Sequence, residues 1–233
     1  MNIRTSIIMP VKNGELFIKE SIESVLTNIS NQDEMIIIDD GSSDRTNEII
    51  YTFIDKHKNI SLYHGNNLLP SGARNLGLEK ARGTYISFID HDDLWPKNRL
   101  NHHLSLLEQK RNIDIIQGMV QYFSSEPSKL AKFKFLDPNQ LLFFFQLGSF
   151  TYRREVFNKI GFFSPDLKFG EDVDFYTRII DEKINILKDT NIALLYRIHD
   201  TNMTHNHKEN NSHVLVKILK DSIRRKKIGA FNG

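Results

Sequence analysis

The stretch that decides the fold lies at residues 85–95 and reads YISFIDHDDLW. Its apolar start predicts a buried strand, which ends abruptly at Asp90-His91-Asp92-Asp93. Three carboxylates within four residues repel one another, so the cluster needs a compensating cation. Oxygen-rich surroundings without cysteine suit Mg²⁺ or Mn²⁺, and such ions commonly hold phosphates. The alternative is a solvated acidic turn after the strand, because acidic residues are common in turns.

The segments on either side of this stretch alternate between strand and helix patterns. Short apolar runs predict strands at residues 6–9, 35–38, 60–63, 84–89 and 113–122. Apolar residues at helical spacing predict helices over about 15–29, through Ile49, Ile50 and Phe53, around Leu76, Leu78 and Ala81, and around 97–110. This alternation is typical of an α/β fold, in which helices cover both faces of a mainly parallel sheet.

Polar residues follow three of the predicted strands. The first strand leads into Pro10-Val11-Lys12-Asn13, the second into Asp39-Asp40, and the fourth into Asp90-His91-Asp92. Ligands of parallel α/β sheets gather at the carboxyl ends of the strands. Because all three polar ends open on the same edge, they indicate one binding site rather than unrelated turns.

Composition limits the class of protein. The 233 residues suit one large domain, or one domain with a small appendage. Lys and Arg total 31 against 29 acidic residues, and this near balance argues against a nucleic-acid-binding surface. The lack of cysteine excludes disulfides and cysteine nucleophiles, and it is compatible with a reducing cytoplasm. Apolar stretches are too short for a signal peptide or a membrane span, so we expect a soluble protein, attached at most to a membrane surface.

A second acidic constellation, GEDVDFYTRI at residues 170–179, starts a predicted helix. Helical spacing puts Asp172 on the same face as the apolar Phe175, whereas Asp174 lies four residues before Arg178 and suits a surface ion pair. Asp172 is therefore expected to point inward. An inward carboxylate is costly unless it is partnered or catalytic. A helix cap, or a pair with a buried arginine, is the alternative.

Five segments together resemble the family 2 glycosyltransferases, which bind nucleotide sugars. They are SIIMPVKNGE, IIIDDGSSDRT, PSGARNLGLEKARGTYISFIDHDD, GEDVDF and YRIH, and they occur in the family's order between about Thr5 and Asn206. The resemblance implies a GT-A fold with a Rossmann-like, mainly parallel central sheet and an α/β second half on the acceptor side. It also implies inverting, metal-dependent transfer of a sugar from a nucleotide diphosphate sugar, with UDP as the expected carrier, to an acceptor hydroxyl.

The resemblance implies roles for individual residues of the donor site. The residues that would bind the nucleotide sugar are Pro10, Val11, Asn13, Glu15, Asp40, Arg74, Asp90 and His91. Among these, Asp40 would accept a hydrogen bond from the imide N–H of uracil, which selects uracil over cytosine. Arg74 would lie near the nucleotide or the diphosphate, where a fixed cation is useful.

The same resemblance implies a metal site and a catalytic base. Asp92 would bind Mn²⁺ or Mg²⁺ directly, Asp90 would reach the ribose or the metal through water, and His199 would approach the metal or the diphosphate. His91, between the two aspartates, is expected not to bind the metal. Asp172 would take the proton from the acceptor hydroxyl.

Other classes of protein fit the sequence less well. The Gln-x-x-Arg-Trp motif of the processive polysaccharide synthases is missing, which favours a single addition. A phosphatase of the haloacid dehalogenase type carries Asp-x-Asp after its first strand, where this chain has Pro-Val-Lys-Asn. A dinucleotide-dependent oxidoreductase would have G-x-G-x-x-G after that strand. A non-catalytic protein that binds sugar nucleotides is the remaining alternative.

We expect a GT-A domain over residues 1–208 and a basic amphipathic helix over 209–233. The domain divides into a donor-binding half (1–123) and an acceptor half (124–208), with a hydroxyl of a glycan, a lipid-linked molecule or a protein as acceptor, as in the synthesis of surface glycans. The helix has an apolar stripe formed by Leu215, Ile218, Leu219 and Ile223. We expect this stripe to dock on the domain. The alternative is a contact of 212–227 with anionic lipid, which would hold a cytoplasmic protein on the inner membrane face.

Overall fold

The computed structural model describes residues 3–126, 141–143, 145–167, 170–202 and 212–231, with side chains of the last range given for 213–226. The strands within these ranges are β1 (Thr5–Val11), β2 (Asp33–Asp39), β3 (Ile60–His64), β4 (Tyr85–Phe88), β5 (Ile115–Phe123), β6 (Phe150–Arg153) and β7 (Ile186–Arg197). The helices are α1 (Ile18–Leu26), α2 (Thr46–Ile54), α3 (Leu69–Lys80), α4 (Arg99–Gln109), α5 (Glu155–Ile160), α6 (Glu171–Asp181) and α7 (Ser212–Phe231).

The strands form one sheet in the order β3-β2-β1-β4-β6-β5-β7. β3, β2, β1 and β4 are parallel, as are β5 and β7, whereas β6 is antiparallel to β4 and β5. The predicted α/β architecture with a mainly parallel sheet is confirmed. Because β1 lies between β2 and β4, the polar residues that follow these three strands meet at one edge of the sheet, as expected.

Helices cover both faces of the sheet, because the central strands are apolar on both sides. Successive side chains of a strand point to opposite faces, so Ile7 and its neighbour Ile8 belong to different clusters. Ile7 packs in a cluster with Ile22 of α1 and Leu104 of α4. Ile8 lies in a second cluster that contains Phe175 of α6. The helix that carries the second acidic constellation is thereby fixed against the sheet.

A buried polar seam joins the two halves of the sheet at β4 and β6. Thr151 in β6 is fully buried, and its hydroxyl lies 3.0 Å from Ser87 Oγ and 3.0 Å from His103 Nδ1. Arg99 donates hydrogen bonds to Ser87 and to the carbonyl of Phe150. These contacts satisfy polar groups that would otherwise be costly inside the protein. The seam explains why the sequence of β6, FTYR, lacks the apolar run of a central strand.

The C-terminal helix α7 packs against α6, but only Ile218 of the predicted stripe is buried in this contact. Ser222 Oγ and Arg225 Nε donate hydrogen bonds to the two oxygens of Asp181, at 2.8 and 2.9 Å. Of the four stripe residues Ile218 is buried, whereas Leu215, Leu219 and Ile223 are exposed. The prediction that the stripe forms the docking face was wrong. The buried carboxylate of Asp181 binds polar residues of α7 instead, and this contact turns most of the stripe away from α6. Among the described helices, none has the length and apolar content needed to cross a bilayer.

Candidate active site

The loops that follow β1 and β2 are tied together by hydrogen bonds. Asn13 has a left-handed backbone conformation, with φ 53°, and its side-chain oxygen accepts a hydrogen bond from the Ser43 N–H at 2.8 Å. The Asn13 N–H donates in turn to Ser42 Oγ. Glu15 accepts a hydrogen bond from the Arg45 N–H at 3.0 Å. These contacts hold one wall of the candidate site rigid, just beyond Pro10 and Val11 at the buried end of β1.

Asp40 is held at the end of β2 by backbone groups from the next crossover. Its side chain is buried, and its two oxygens accept hydrogen bonds from the N–H groups of Leu68 and Leu69, at 2.7 and 3.1 Å. Gly65 packs so closely that an added Cβ would lie 2.7 Å from Asp40 Oδ1. The neighbouring Asp39 is fixed separately, by the Ser42 N–H and by Asn47. Both acidic side chains at this strand end therefore have defined orientations.

Arg74 connects the end of β4 to the start of α6. One guanidinium nitrogen lies 2.9 Å from Asp90 Oδ1, and another lies 2.9 Å from Glu171 Oε1. The Arg74 side chain is only 8% exposed. Burial opposes its charge, but the two carboxylates outweigh this effect and raise the pKa of Arg74. The role of Arg74 near the nucleotide or diphosphate stays a prediction, and the sequence reasoning missed Glu171 as its partner.

Asp92 and His199 form a half-buried pair between the acidic motif and the end of β7. His199 Nε2 lies 2.9 Å from Asp92 Oδ2, and the imidazole stacks on Phe17 with ring centroids 4.5 Å apart. Burial opposes ionisation of Asp92, but the hydrogen bond to His199 prevails and lowers the pKa of the carboxyl. His91, half-buried, packs on Gly14, where an added Cβ would lie 2.6 Å from the ring.

The donor set of Asp92 and His199 fits a divalent cation only if other ligands complete the sphere. Carboxylate oxygens suit Mg²⁺ and Mn²⁺, and these ions usually keep water and substrate phosphates among their ligands. The described residues contain no group of three or more His, Cys, Asp or Glu side chains that could hold an ion by themselves. Asp92 and His199 could therefore supply only part of the coordination sphere of an ion.

Arg197 supports the acidic motif from β7, and sequence reasoning missed it. Its N–H donates to Asp93 Oδ1 at 2.9 Å, and its guanidinium donates to the Asp92 carbonyl at 2.8 Å. The guanidinium also lies over the rings of Phe17 and Phe123, with centroids 4.9 and 4.7 Å away. The YRIH segment held the only sequence signal, since it places an arginine two residues before His199.

Asp172 lies in the first turn of α6, which begins after Gly170 in a left-handed conformation (φ 77°). The Val173 N–H donates to Asp172 Oδ1 at 2.8 Å. Burial, and then the charge of Glu171, raise the pKa of the Asp172 carboxyl. This carboxylate is half-buried, and the positive charge of Arg74 offsets part of the rise in its pKa.

The predicted ion pair between Asp174 and Arg178 forms, but its predicted place on the surface is wrong. Asp174 is 6% exposed and accepts hydrogen bonds from Arg178 Nε and Ser164 Oγ, both at 3.0 Å. Arg178 also donates to the carbonyl of Phe162. Residues around 160–164 therefore cover the face of α6 that helical spacing had assigned to solvent, and Asp174 anchors this segment.

Sequence comparison identifies the family of this chain. Residues 6–172, well over half of its length, match the pattern of Glycosyl transferase family 2. The chain belongs to that family. The predicted resemblance to family 2 glycosyltransferases is confirmed.

Several relatives cover most of the chain. An uncharacterized glycosyltransferase of Haemophilus influenzae is 32% identical over 201 residues, which cover 82% of this chain and 74% of that protein. The uncharacterized glycosyltransferase EpsJ of Bacillus subtilis is 32% identical over 73% of this chain and 54% of its own length. The minor teichoic acid biosynthesis protein GgaA of Bacillus subtilis is 30% identical over 75% of this chain and 43% of its own length. The chain thus spans about half to three quarters of these curated relatives.

Solved structures share the fold. The crystal structure of S. aureus TarS 1-349 in complex with UDP-GlcNAc matches with a TM-score of 0.76 and 20% identity, over 96% of this chain and 66% of that chain. The mannosyltransferase PcManGT from Pyrobaculum calidifontis, in complex with GDP-Man and Mn²⁺, matches with a TM-score of 0.71 and 18% identity, over 96% and 65% of the two chains. These likenesses confirm the predicted GT-A fold.

Proposed function

We propose that this protein transfers a sugar from a UDP-linked donor to an acceptor hydroxyl, in single additions and with inversion at the anomeric carbon. The observation that carries the proposal is the Arg74 bridge, because one guanidinium links Asp90 at a strand end to Glu171, the neighbour of Asp172. The proposed donor-binding carboxylate and the proposed base therefore border one site. Membership of Glycosyl transferase family 2 supports the same chemistry.

In this proposal the nucleotide lies against the loops after β1 and β2, beside Pro10, Val11 and Asn13. Asp40 accepts the imide N–H of uracil. Each carboxylate oxygen offers two lone pairs, so the two backbone N–H groups that orient Asp40 leave it free to accept another hydrogen bond. The complexes of TarS with UDP and with UDP-GlcNAc support a uracil nucleotide, and the GDP-Man of PcManGT is the competitor to be tested.

We assign the metal to Asp92 and His199, with Asp90 reaching the ribose or the ion through water. The donor set of one carboxylate and one imidazole is consistent with Mn²⁺ or Mg²⁺, provided that diphosphate oxygens supply further ligands. When bound, the ion would neutralise the negative charge that develops on the departing diphosphate. Mn²⁺ in the PcManGT complex supports this assignment.

Asp172 acts as the general base. Its carboxylate takes the proton of the acceptor hydroxyl while the acceptor oxygen forms a bond to the anomeric carbon. The bond from that carbon to the diphosphate oxygen breaks, and the nucleoside diphosphate leaves with the electron pair. Attack from the side opposite the leaving group inverts the configuration. The raised pKa of Asp172 makes its carboxylate a stronger base, and general-base help is worth about two to four powers of ten in rate.

The acceptor side belongs to the second half of the chain. We assign residues 1–123 to donor binding, 124–208 to the base and the acceptor, and 209–233 to the C-terminal helix. The acceptor is a hydroxyl of a glycan, a lipid-linked molecule or a protein on the cytoplasmic side of the membrane. The relative GgaA, which is named for minor teichoic acid biosynthesis, favours a surface polymer.

A screen of nucleotide diphosphate sugars by thermal shift, with and without Mn²⁺, tests the proposal. We expect a UDP-sugar to raise the melting temperature in the presence of Mn²⁺, and mass spectrometry to detect transfer or donor hydrolysis with the same compound. EDTA and Asp92→Ala should each abolish turnover, whereas Asp55→Ala, an exposed carboxylate after α2, should leave it unchanged. Binding without any turnover would identify a non-catalytic binding protein. Full turnover of Asp92→Ala in EDTA would remove the metal from the mechanism.

A further inference from the structure

The C-terminal helix α7 uses one face to dock, and a second face stays in solvent. On the docked face, Ile218 is 3% exposed, and Ser222 and Arg225 bind Asp181 of α6. Lys226 extends this face with an ion pair to the same carboxylate at 3.2 Å. The docked face therefore fixes how the helix is rotated about its axis, and so which side chains point away from the protein.

Four large apolar side chains point away from it. Leu215, Val216, Leu219 and Ile223 are 44%, 47%, 61% and 54% exposed. Relative to Leu215 they lie at plus one, plus four and plus eight, which places them along one side of a helix. Single exposed apolar residues are normal on a protein surface, but a continuous row of four is not. The adjacent α6 also exposes Val173 and Ile180.

A row of cations lies beside this apolar row. Lys217, Lys220 and Arg224 are exposed and are separated by three and four positions, so they share one side of the helix. Arg224 lies 3.8 Å from Asp221, but both side chains are exposed, and such a pair contributes little binding energy. The outer face of α7, defined by the four apolar and three basic residues above, is thus apolar along one side and positively charged along the other.

We propose that the outer face of α7 rests on an anionic phospholipid surface. The cations match the lipid phosphates, and the apolar row enters the boundary between headgroups and acyl chains, as in other interfacial amphipathic helices. A second copy of this chain is a poorer occupant, because a two-fold contact through the same face would bring the cations of one helix against either the cations or the apolar row of the other. Apolar area and positive charge on one side together favour lipid over a neutral partner.

Co-sedimentation of the full chain with phospholipid vesicles tests this proposal without any need for turnover, so its outcome is independent of the proposed function. Vesicles of phosphatidylcholine with phosphatidylglycerol are compared with vesicles of phosphatidylcholine alone, at low and at high salt. We expect the protein to pellet with the anionic vesicles at low salt and to be released by salt. Equal binding to neutral vesicles, or no binding to either, would overturn the proposal.

Two variants with matched controls separate charge from apolar contact. Reversing the three cations (K217E/K220E/R224E) should lower the partition coefficient by about a hundredfold or more, whereas K56E/K58E/K110E, an equal reversal at exposed lysines elsewhere, should change it much less. Leu219→Glu should lower it by about tenfold, and Tyr51→Glu, at a similarly exposed site, should not. Melting curves of all four variants would show whether each of them folds.

Two further results would count against the lipid surface. If the α7 variants and their controls bind vesicles alike, another surface makes the contact. If sedimentation velocity shows a dimer of the full chain that Leu219→Glu converts to a monomer, the outer face of α7 is a contact between copies.

Discussion

The carboxylates at the strand ends and the carboxylate at the start of α6 are held in different ways. Asp40 accepts hydrogen bonds from two backbone N–H groups of another segment, and Asp93 accepts one from β7. Asp172 accepts its hydrogen bond from the adjacent N–H of Val173, and its pKa is raised. Asp40, which is proposed to bind the base, is thus fixed by distant backbone, whereas the group proposed to react is held locally. Mutation of Asp40 should therefore affect donor affinity, whereas mutation of Asp172 should affect turnover.

Asp172→Asn should have the largest effect, and that effect should fall on turnover. The amide keeps the size of the side chain but cannot accept a proton at neutral pH, so kcat should fall by about two to four powers of ten. The dissociation constant of the UDP-sugar, measured by calorimetry, should stay close to that of the unmodified protein. Asp55→Asn serves as the control for a lost surface charge. Retained turnover would show that another group is the base, and Glu171→Gln would be measured next.

Arg74→Met tests whether the ion pairs of Arg74 with Asp90 and Glu171 hold the site together. The substitution leaves Asp90 and Glu171 without their shared cation, although Asp90 keeps a 35% exposed side chain. We expect a loss of about 3 kcal/mol in the free energy of unfolding, near the lower end for a broken buried pair. Chemical denaturation measures this loss, with Arg45→Met, at an exposed pair, as the control. A loss no larger than the control's would mean that the bridge does not hold the site together.

Asp40→Ala should weaken binding rather than slow the chemical step. Losing a charge-assisted hydrogen bond to the base should cost about 1–3 kcal/mol in UDP affinity. Calorimetry with UDP measures the loss, and a melting curve shows whether the N–H groups of Leu68 and Leu69 tolerate the missing carboxylate. If the unmodified protein binds UDP, CDP and GDP equally, Asp40 does not read the base.

The smallest expected effect is a shift in the acidic limb of the pH profile of kcat/KM. A general base works when deprotonated, so activity falls as pH drops through the pKa of Asp172. Because burial and then Glu171 raise that pKa, the acidic limb should lie above the usual pH range of an aspartate. Glu171→Gln removes a negative charge beside Asp172 and one of the two carboxylate partners of Arg74. Both changes lower the pKa of Asp172, so the acidic limb should move to lower pH. An unmoved limb would assign the titration to another group.

Much of the first half could be predicted from sequence, because each of its strands and helices has a recognisable local pattern of apolar and polar residues. β1, β2 and β4 are apolar runs that end in polar residues, and parallel packing brings these ends to one edge. The same reasoning located Asp40, Asp90 and Asp92 at that edge. What it could not supply was the partners, since Arg197 reaches Asp92 from more than one hundred positions away.

The second half resisted prediction for a physical reason. β6 is stabilised on one face by polar contacts to Ser87, His103 and Arg99, so its four residues lack the continuous apolar run of the other central strands. The rotation of α7 is decided by Asp181, a residue of another helix. In both cases long-range polar contacts, rather than local periodicity, determine the structure.

The place of β6 between β4 and β5 also determines the order in which the strands can pair during synthesis. β5 is synthesised before β6, yet its neighbours in the sheet are β6 and β7, which are both made later. When residue 123 has emerged, β1 to β4 can already pair through local crossovers, while β5 waits for its partners. A chain that stops before Phe150 would leave the edge of β4 open. Incomplete copies would thus carry an aggregation-prone edge that the finished protein covers.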